Sequence, residues 1–354
     1  EMKRAVKLSL KFITNKKKNK IKNLLFEYRR VVNCYIKAIW NNNTAKLNKQ
    51  TKELVKNTRL SERYKSKALK QALDIVITTK KSAKALKKYV QMPIFKGNAI
   101  LDSMFVNIED SKSLKDFDLV LRLSILNKGK RITLPLKKTK VFNKWKNKPL
   151  SKIIQGCALS ESHVIVWIEL PDLEIKEKGK TIGIDIGVNK LIVDSDSNEY
   201  GKEFIQIRKK IQRKKRNSKA YKRTLKERNN YINRIVNQLP YDNIKVIGIE
   251  KLLNLKKGKS KSRSKNFRKA MIPWRYRQVI SRIECKAQEN RIRLVKVNPV
   301  NTSRTCPICS EVSKNNRKGE NFRCIRCNYT SDSDYVGAFN ILVKTLRLTG
   351  SLES

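Results

Sequence analysis

The sequence predicts an α/β protein in two parts: a β-rich amino-terminal half with a helical insertion, and a carboxy-terminal half in which strands and helices alternate. Three observations predict this. Between residues 98 and 171 the apolar residues recur with a period of two, as in half-buried strands. Between residues 21 and 90 they recur at helical spacing. After residue 180, short β-branched runs alternate with longer amphipathic segments.

The composition is strongly basic. The 354 residues include 83 Lys and Arg against 30 Asp and Glu, which gives a net charge of +53. Apolar residues make up 39% of the chain, enough for folded cores in two or three domains. Nucleic acid is the obvious counter-charge for such a chain. An anionic membrane surface is the weaker alternative, because no apolar or amphipathic anchor is visible.

The sequence shows no run of about 18 apolar residues and no signal-peptide pattern. Seven cysteines, an odd number, argue against a secreted disulfide scaffold. We therefore expect a soluble, cytoplasmic protein with no membrane partner. Its only histidine, His163, lies in an alternating strand pattern and is expected to be structural.

The first half begins with an alternating strand over residues 3–13, followed by a basic run at 15–20 that we expect to form a turn. Two amphipathic helices are predicted next, at about 21–40 and 61–90, and their basic faces suit contact with phosphate. Three aromatic residues in these helices could stack on bases, although their helical spacing favours packing in the core: Tyr28, Trp40 and Tyr64.

A hairpin is predicted in the β-rich segment. Alternating strands over 117–125 and 132–136 are joined by a turn at 127–130. A second strand pair is expected near 152–159 and 163–170. The first half therefore reads as a β-rich module with a helical insertion.

The second half predicts a strand hairpin followed by alternating helices and strands, the order of an RNase H-like α/β core. The Lys-, Ser- and Gly-rich stretch 254–270 is predicted to be a mobile loop. The expected elements are strands near 181–186 and 190–195, a helix or helix pair over 203–238, a strand at 244–249, a helix at 273–290, a strand at 292–297 and a last helix at 334–347.

Asp185 stands in the apolar β run Thr181–Val193, with Gly183 and Gly187 on either side. A carboxylate in a buried strand is costly unless something pairs with it, and a metal ion is the commonest reason to keep one. The flanking glycines allow a metal, a phosphate or another backbone to come close. The alternative is a strand Asp that only accepts hydrogen bonds from a turn.

Two further acids stand at similar places. Glu250 ends an apolar strand, where ligands gather in open α/β sheets, although an acid that simply leaves the sheet is the alternative. Asp334 begins the last helix, where it could equally be an N-cap, as could Asp332 and Ser333. Together with Asp185, these acids suit two Mg²⁺ ions roughly 4 Å apart for phosphodiester hydrolysis.

Four cysteines form two C-x2-C pairs. Cys306 and Cys309 are separated by 14 residues from Cys324 and Cys327, which predicts a Cys₄ zinc ribbon at about 300–330. Because all four ligand positions come from protein, the zinc is expected to be structural. Two vicinal redox pairs are the alternative. The other cysteines are expected in the core: Cys34, Cys157 and Cys285.

The run Gly183–Leu191 resembles the first RuvC motif of the TnpB family, transposon-associated RNA-guided nucleases related to the compact type V CRISPR effectors. Ile247–Leu252 resembles the second motif, and Asp334–Leu342 resembles the third. Thr302–Cys309 resembles the segment that leads into the family's zinc ribbon. The resemblance covers about 180–345. In the first half, only the order of elements is similar to the family: an opening strand, a helical insertion and a β-rich module.

The resemblance implies a fold and a domain organisation. It assigns 176–354 to an RNase H-like RuvC nuclease domain with an inserted zinc ribbon. It assigns 1–20 and 91–175 to a β-barrel-like wedge domain, and 21–90 to a helical recognition insertion.

The resemblance also implies a function. It predicts an RNA-guided DNA endonuclease that binds a structured guide RNA as a monomer and recognises a short target-adjacent motif. Cleavage of DNA would use one Mg²⁺-dependent site formed by Asp185, Glu250 and Asp334. The alternatives are a nuclease-impaired RNA-guided DNA-binding regulator and a guide-independent RuvC-like resolvase or transposase.

The third motif departs from the family pattern. The family usually has Asn two residues after the motif's Asp, followed by Ala-Ala, and here these places hold Val336, Gly337 and Ala338. Asn340 is retained. Loss of an Asn beside Asp334 could loosen that acid or alter metal affinity, but no metal ligand is missing.

Overall fold

The computed structural model describes residues 2–42, 53, 55–86, 89–111, 115–126, 129–172, 174–252 and 274–351. The chain divides into two compact units, Glu1–Asp172 and Leu173–Ser354. Each unit has its own hydrophobic core. The predicted loop at 254–270 and part of the predicted turn at 127–130 lie outside the described residues.

The amino-terminal unit contains a helix pair and two antiparallel sheets. One sheet has the strand order β1-β7-β6-β2 and the other the order β3-β4-β5. The elements are β1 (Met2–Ser9), α1 (Asn15–Asn42), α2 (Glu62–Leu86), β2 (Ala99–Asp102), β3 (Val106–Asp110), β4 (Leu119–Ser124), β5 (Arg131–Leu136), α3 (Lys140–Lys146), β6 (Lys152–Leu159) and β7 (His163–Leu170).

Both predicted strand pairs are present, as β4 with β5 and as β6 with β7. The turn expected at residues 15–20 is wrong, because this basic run forms the beginning of α1. Lys is a good helix former, and the run continues into the amphipathic segment. Thr14 starts the helix: its carbonyl accepts from Lys18 N at 2.9 Å, and its Oγ1 accepts from Lys17 N at 3.4 Å.

Aromatic side chains join α1 to α2 and α2 to strand β4. Tyr28 donates to Gln71 Oε1 at 2.8 Å, and Tyr64 donates to the carbonyl of Ser124 at 2.7 Å. Both rings are buried, as their helical spacing predicts. Trp40 is only partly buried and packs against the same core. Tyr28 and Tyr64 are therefore core residues and not a surface for stacking bases.

The carboxy-terminal unit is built on a five-stranded sheet of order β10-β9-β8-β11-β12. Strands β8, β9 and β10 pair antiparallel, whereas β11 is parallel to β8 and β12 is parallel to β11. The elements are β8 (Lys180–Asp185), β9 (Ile192–Asp194), β10 (Glu199–Tyr200), α4 (Phe204–Gln212), α5 (Lys219–Val236), β11 (Ile244–Glu250), α6 (Tyr276–Glu289), β12 (Arg293–Val297), β13 (Arg317–Lys318), β14 (Asn321–Arg323), β15 (Thr330–Asp332) and α7 (Ser333–Leu348).

The predicted basic segment over 203–238 is a helix pair, α4 and α5. Asn217, with φ of +67°, lies between the two helices, and Ser218 then caps α5 by accepting from Tyr221 N at 3.0 Å. An Asn tolerates this left-handed conformation, and a Ser is a preferred N-cap, so the break has a local cause.

Two strand glycines allow α7 to lie directly on the sheet. A Cβ on Gly183 would lie 2.1 Å from the carbonyl oxygen of Ala338, and a Cβ on Gly248 would lie 1.9 Å from Thr345 Oγ1. No side chain can be accommodated at such distances, so β8 and β11 need glycine where α7 crosses them. This close approach brings the first turn of α7 to the edge of the sheet.

In the described part of the chain, no helix is long and apolar enough to cross a membrane.

Candidate functional site

Two of the predicted acids end neighbouring parallel strands. Ile184 of β8 lies opposite Ile249 of β11, so Asp185 and Glu250 follow at the same carboxyl edge of the sheet. Asp185 also pairs with Val193 on its other side. In open α/β sheets this edge is where ligands bind. Asp185 and Glu250 are half-buried there.

The third acid reaches this edge from α7. The N-cap of α7 is Asp332, whose Oδ1 accepts from Asp334 N at 2.8 Å and from Tyr335 N at 3.3 Å. Capping is therefore the role of Asp332 and not of Asp334. A Cβ on Gly337 would lie 3.1 Å from Asp185 Oδ2, and one on Gly187 would lie 3.6 Å from Asp334 Oδ2, so the first turn of α7 packs against the end of β8.

The three carboxylates interact electrostatically. Burial raises the pKa of Asp185 well above its ordinary value, and the neighbouring charges of Glu250 and Asp334 raise it further. Burial also raises the pKa of Glu250 against the opposing effect of a hydrogen bond from Thr302. The pKa of Asp334 is raised by burial and by the nearby Asp332. Such mutual repulsion of acids favours a site that holds cations.

These shifts predict a pH dependence of stability. In EDTA, we expect the free energy of unfolding contributed by this site to fall as pH rises above about 4, the ordinary carboxyl range. The pKa values of Asp185 and Glu250 are higher in the folded protein than in the unfolded chain. At a pH between these two values, the folded protein therefore binds more protons than the unfolded chain. Its free energy of unfolding falls as pH rises through this range. Thermal unfolding of the wild type at pH 5–8 should therefore depend more steeply on pH than that of Asp185→Asn. Equal slopes would contradict the prediction.

Two positively charged residues, Lys190 and Arg317, lie close to the acids at the start of α7. Arg317 of β13 lies with a guanidinium nitrogen 3.5 Å from Asp334 Oδ1, and its charge lowers the pKa of all three acids. Lys190 Nζ forms ion pairs with Oδ2 of the cap residue Asp332 at 2.7 Å and with Oε1 of Glu199 at 2.6 Å. Nothing in the local sequence marks Arg317, because it reaches the site through the folding of the cysteine-rich segment.

The four cysteines form a compact thiol cluster. All four Sγ atoms lie within 4.8 Å of one another, and among the described residues only this group of His, Cys and acidic side chains is so tight. Sγ of Cys306 lies 3.6 Å from that of Cys327, and Sγ of Cys309 lies 3.5 Å from that of Cys324. Tetrahedral Zn–S bonds of about 2.3 Å would place sulfurs about 3.8 Å apart, so the cluster fits zinc.

The backbone around the cysteines repeats the same turn twice. Ser310 and Asn328, each directly after the second Cys of a pair, both have φ of +58°. Backbone N–H groups of Arg326 and Cys327 point at Cys324 Sγ at 3.4 and 3.5 Å, which stabilises a thiolate. Because all four sulfurs meet at one point, the geometry favours a metal site over two separate redox pairs.

Asn316 joins the two cysteine turns and is only 1% exposed. Its Nδ2 donates to the carbonyls of Arg304 at 2.9 Å and Glu311 at 3.1 Å, and its Oδ1 accepts from Ile325 N at 3.0 Å. Sequence reasoning missed this residue, because a polar Asn between two cysteine pairs looks like an ordinary loop residue.

Val336, the departure in the third motif, belongs to the apolar core of the cysteine-rich segment. It is fully buried and completes a small core with Phe322, Cys306 and Cys324. An apolar residue is what this position needs in the present chain. Val336 therefore packs α7 against the cysteine-rich segment, and the effect of the missing Asn on Asp334 stays a prediction.

Fold and site together define a mixed α/β protein with a Cys₄ cluster inserted before its last helix. Residues 276–341 match the family model described as Cas12f1-like, TNB domain. The TnpB-like protein MJ0751 of Methanocaldococcus jannaschii is 27% identical over 234 residues, which is 58% of this chain and 82% of that protein.

Two curated CRISPR-associated endodeoxyribonucleases named Cas12f1 also match. The protein of Sulfoacidibacillus thermotolerans is 34% identical over 74 residues, or 21% of this chain and 18% of that protein. The protein of Syntrophomonas palmitatica is 27% identical over 192 residues, or 44% of this chain and 37% of that protein. The chain thus matches well under half the length of these two relatives.

Solved structures share the fold. The Cas12f1–sgRNA–target DNA complex aligns with a TM-score of 0.52 at 16% identity, over 93% of this chain and 83% of that chain. The mini-RNA-guided endonuclease CRISPR-Cas_phi3 aligns with a TM-score of 0.60 at 10% identity, over 96% and 92%. The structural likenesses concern the fold, and the sequence matches confirm the predicted resemblance: the chain is similar to TnpB-like proteins and compact type V effectors.

Proposed function

We propose that this protein is an RNA-guided DNA endonuclease whose single active site is formed by Asp185, Glu250 and Asp334. The observation that carries the proposal is the position of Asp185 at the sheet edge, where the charges of Glu250 and Asp334 both raise its pKa, in a chain of net charge +53. A basic surface attracts nucleic acid, whereas clustered acids repel it unless cations neutralise them. The comparisons with relatives named as endodeoxyribonucleases support the same class of activity.

The carboxy-terminal sheet supports an RNase H-like RuvC core. Its order β10-β9-β8-β11-β12, with three antiparallel strands followed by two parallel ones, corresponds to a strand hairpin preceding alternating helices and strands. In the amino-terminal unit, we assign the β domain at 1–20 and 91–175 to the wedge and the helices at 21–90 to recognition of nucleic acid.

The acidic site suits Mg²⁺, because its donor set is carboxylate oxygen from three separate elements. When bound, Mg²⁺ supplies charge neutralisation, a more acidic water and stabilisation of the leaving oxygen. Asp185 and Glu250 would hold Mg²⁺ from the sheet edge, and Asp334 would hold it from the helix. Arg317, 3.5 Å from Asp334, offsets part of the remaining negative charge and attracts the phosphate. At the cysteine cluster, the metal is a structural Zn²⁺.

The partners follow from charge and from the relatives. A guide RNA paired to a DNA strand is a long polyanion, and broad Lys and Arg coverage binds it through the backbone. The aligned Cas12f1 structure contains a guide RNA and target DNA, which supports both partners for this chain. We assign one protein monomer to one RNA, with base pairing reading the target and the protein reading a short flanking motif.

The test is cleavage of plasmid DNA by protein purified with its co-expressed RNA. We expect cleavage that requires Mg²⁺, is blocked by EDTA, and occurs only on plasmids carrying the sequence matched by the RNA. Sequencing the co-purified RNA supplies the guide and therefore the matched plasmid. Cleavage independent of RNA would support a resolvase or transposase, and RNA-directed binding without cleavage would support a regulator.

A further inference from the structure

The helix that carries Asp334 also holds the loop that leads into the cysteine cluster. We call residues 298–305 the ribbon loop. Asn340, two turns after Asp334 and 6% exposed, donates from Nδ2 to the carbonyls of Thr302 at 2.8 Å and Thr305 at 2.9 Å. The buried amide thus fixes two backbone positions of this loop.

Lys344 adds a second attachment on the same face of α7, because it follows Asn340 by four residues. Its Nζ donates to the carbonyls of Asn298 at 3.0 Å and Val300 at 2.5 Å. Four hydrogen bonds from two side chains of one helix therefore hold the ribbon loop along most of its length.

The ribbon loop places the hydroxyl of Thr302 beside the carboxylate of Glu250. Thr302 is 3% exposed, and its Oγ1 lies 2.5 Å from Glu250 Oε1 and 3.0 Å from the carbonyl of Pro299. A hydroxyl has one proton to donate, and the closer, charged acceptor forms the stronger hydrogen bond. While Glu250 is ionised, Thr302 therefore donates to the carboxylate.

We propose that Thr302 is the positioning residue of Glu250, holding Oε1 so that the other carboxylate oxygen is directed at the bound cations. This inference rests on the proposed function, in which Glu250 is a metal ligand. Glu250 is the last residue of its strand, and the hydrogen bond from the Thr302 hydroxyl restricts the rotamers of its side chain. Through Asn340, α7 then sets the geometry of two acids, its own Asp334 and the distant Glu250.

The test compares Thr302→Val, which keeps the shape and removes the hydroxyl, with Thr302→Ser, which keeps the hydroxyl and removes the methyl group. The matched control is Thr305→Val in the same loop, where the lost hydroxyl contacts only the carbonyl of Asn301. Each variant is prepared as the RNA complex. Mn²⁺ binding is measured by electron paramagnetic resonance without DNA, and the binding that Asp185→Asn removes is assigned to the site.

We expect Thr302→Val to weaken Mn²⁺ binding and Mg²⁺-dependent cleavage by about 10- to 100-fold, the usual effect of losing a group that orients a metal ligand. Thr302→Ser and Thr305→Val should remain within about threefold of wild type in both measurements. Melting temperatures should be similar for all of them, because the valine preserves packing.

Two results would overturn the inference: a Thr302→Val variant that binds Mn²⁺ as wild type does, or a Thr302→Ser variant as impaired as Thr302→Val, which would indicate packing instead of hydrogen bonding. If instead the proposed nuclease function is wrong, the wild type does not cleave DNA. The Mn²⁺ binding of the Thr302 variants still decides whether Thr302 positions Glu250. If Asp185→Asn removes no Mn²⁺ binding at all, both proposals fall together.

Discussion

Replacing Asp185 with Asn is expected to reduce DNA cleavage by about 1,000-fold or more while leaving guide RNA and target DNA binding intact. Asn has the shape of Asp but lacks the charge that binds cations at the sheet edge. Binding is retained because the basic surface, and not the acids, attracts the nucleic acid. Cleavage of a matched plasmid and gel-shift titration of the same target measure the two properties separately.

The same substitution is expected to raise the melting temperature in EDTA. Asp185 carries a raised pKa because of burial and of repulsion from Glu250 and Asp334, so a neutral side chain relieves an unfavourable charge. A variant that is more stable without metal and inactive with metal would be hard to explain by misfolding. These two results together would indicate that Asp185 lowers stability in favour of activity, as active-site residues often do.

The matched control is Asp196→Asn. Asp196 is an exposed acid ion-paired with Lys180 in the same unit, and exposed pairs contribute about 1 kcal/mol or less. It should cleave like the wild type and melt at a similar temperature. Cleavage by Asp185→Asn at more than a tenth of the wild-type rate would refute the assignment of the site.

Replacing Cys324 with Ser is expected to remove zinc and unfold the cysteine-rich segment. Its core consists of four buried side chains, with Cys309 and Tyr329 packed against them, which is too little apolar area to fold alone. Structural zinc supplies about 10–16 kcal/mol of apparent binding free energy in small zinc modules. Zinc content by mass spectrometry should fall from about one ion per chain to near zero.

The loss of zinc in Cys324→Ser should also disturb the acidic site. Arg317 and Thr302 come from the segment around the cysteines, and both contact the acids directly. We expect cleavage to fall by more than about 100-fold, the combined effect of losing a charge and a positioning hydrogen bond. Hydrogen exchange over residues 302–332 should accelerate at the same time.

Cys34→Ser is the control, because Cys34 is a half-buried cysteine of the amino-terminal unit and not part of the cluster. It should keep full zinc content and full cleavage. Retention of zinc and of slow hydrogen exchange in Cys324→Ser would contradict the structural role of the cluster. Unchanged cleavage after complete zinc loss would contradict its connection to the acids.

Local pattern was enough to predict most elements of this protein. The alternation of apolar residues predicts the pairs β4–β5 and β6–β7, and helical spacing predicts α1, α2 and α7. The exception at residues 15–20 has a clear reason: a run of lysines has no apolar period, although lysine itself favours helix. Cysteine spacing predicts the thiol cluster, because tight turns make that spacing a local property.

The acids could be found from sequence because each has a local signal: Asp185 stands within an apolar run, Glu250 ends one, and Asp334 begins an apolar helix. Their surroundings could not. Gly183 and Gly248 look like permissive strand residues until α7 is seen to lie against them. The sequence marks Val336 only as a departure from the family pattern, and the tertiary structure places it in the core of the cysteine-rich segment.

By itself, therefore, the sequence determined the elements, the cysteine cluster and the three acids, since each depends on neighbours a few residues away. Only the tertiary structure decided which side chains complete the acidic site. Thr302 reaches Glu250 across 52 residues, and Asn340 reaches Thr302 across 38. Such contacts arise from packing between elements, and no periodicity within one segment records them.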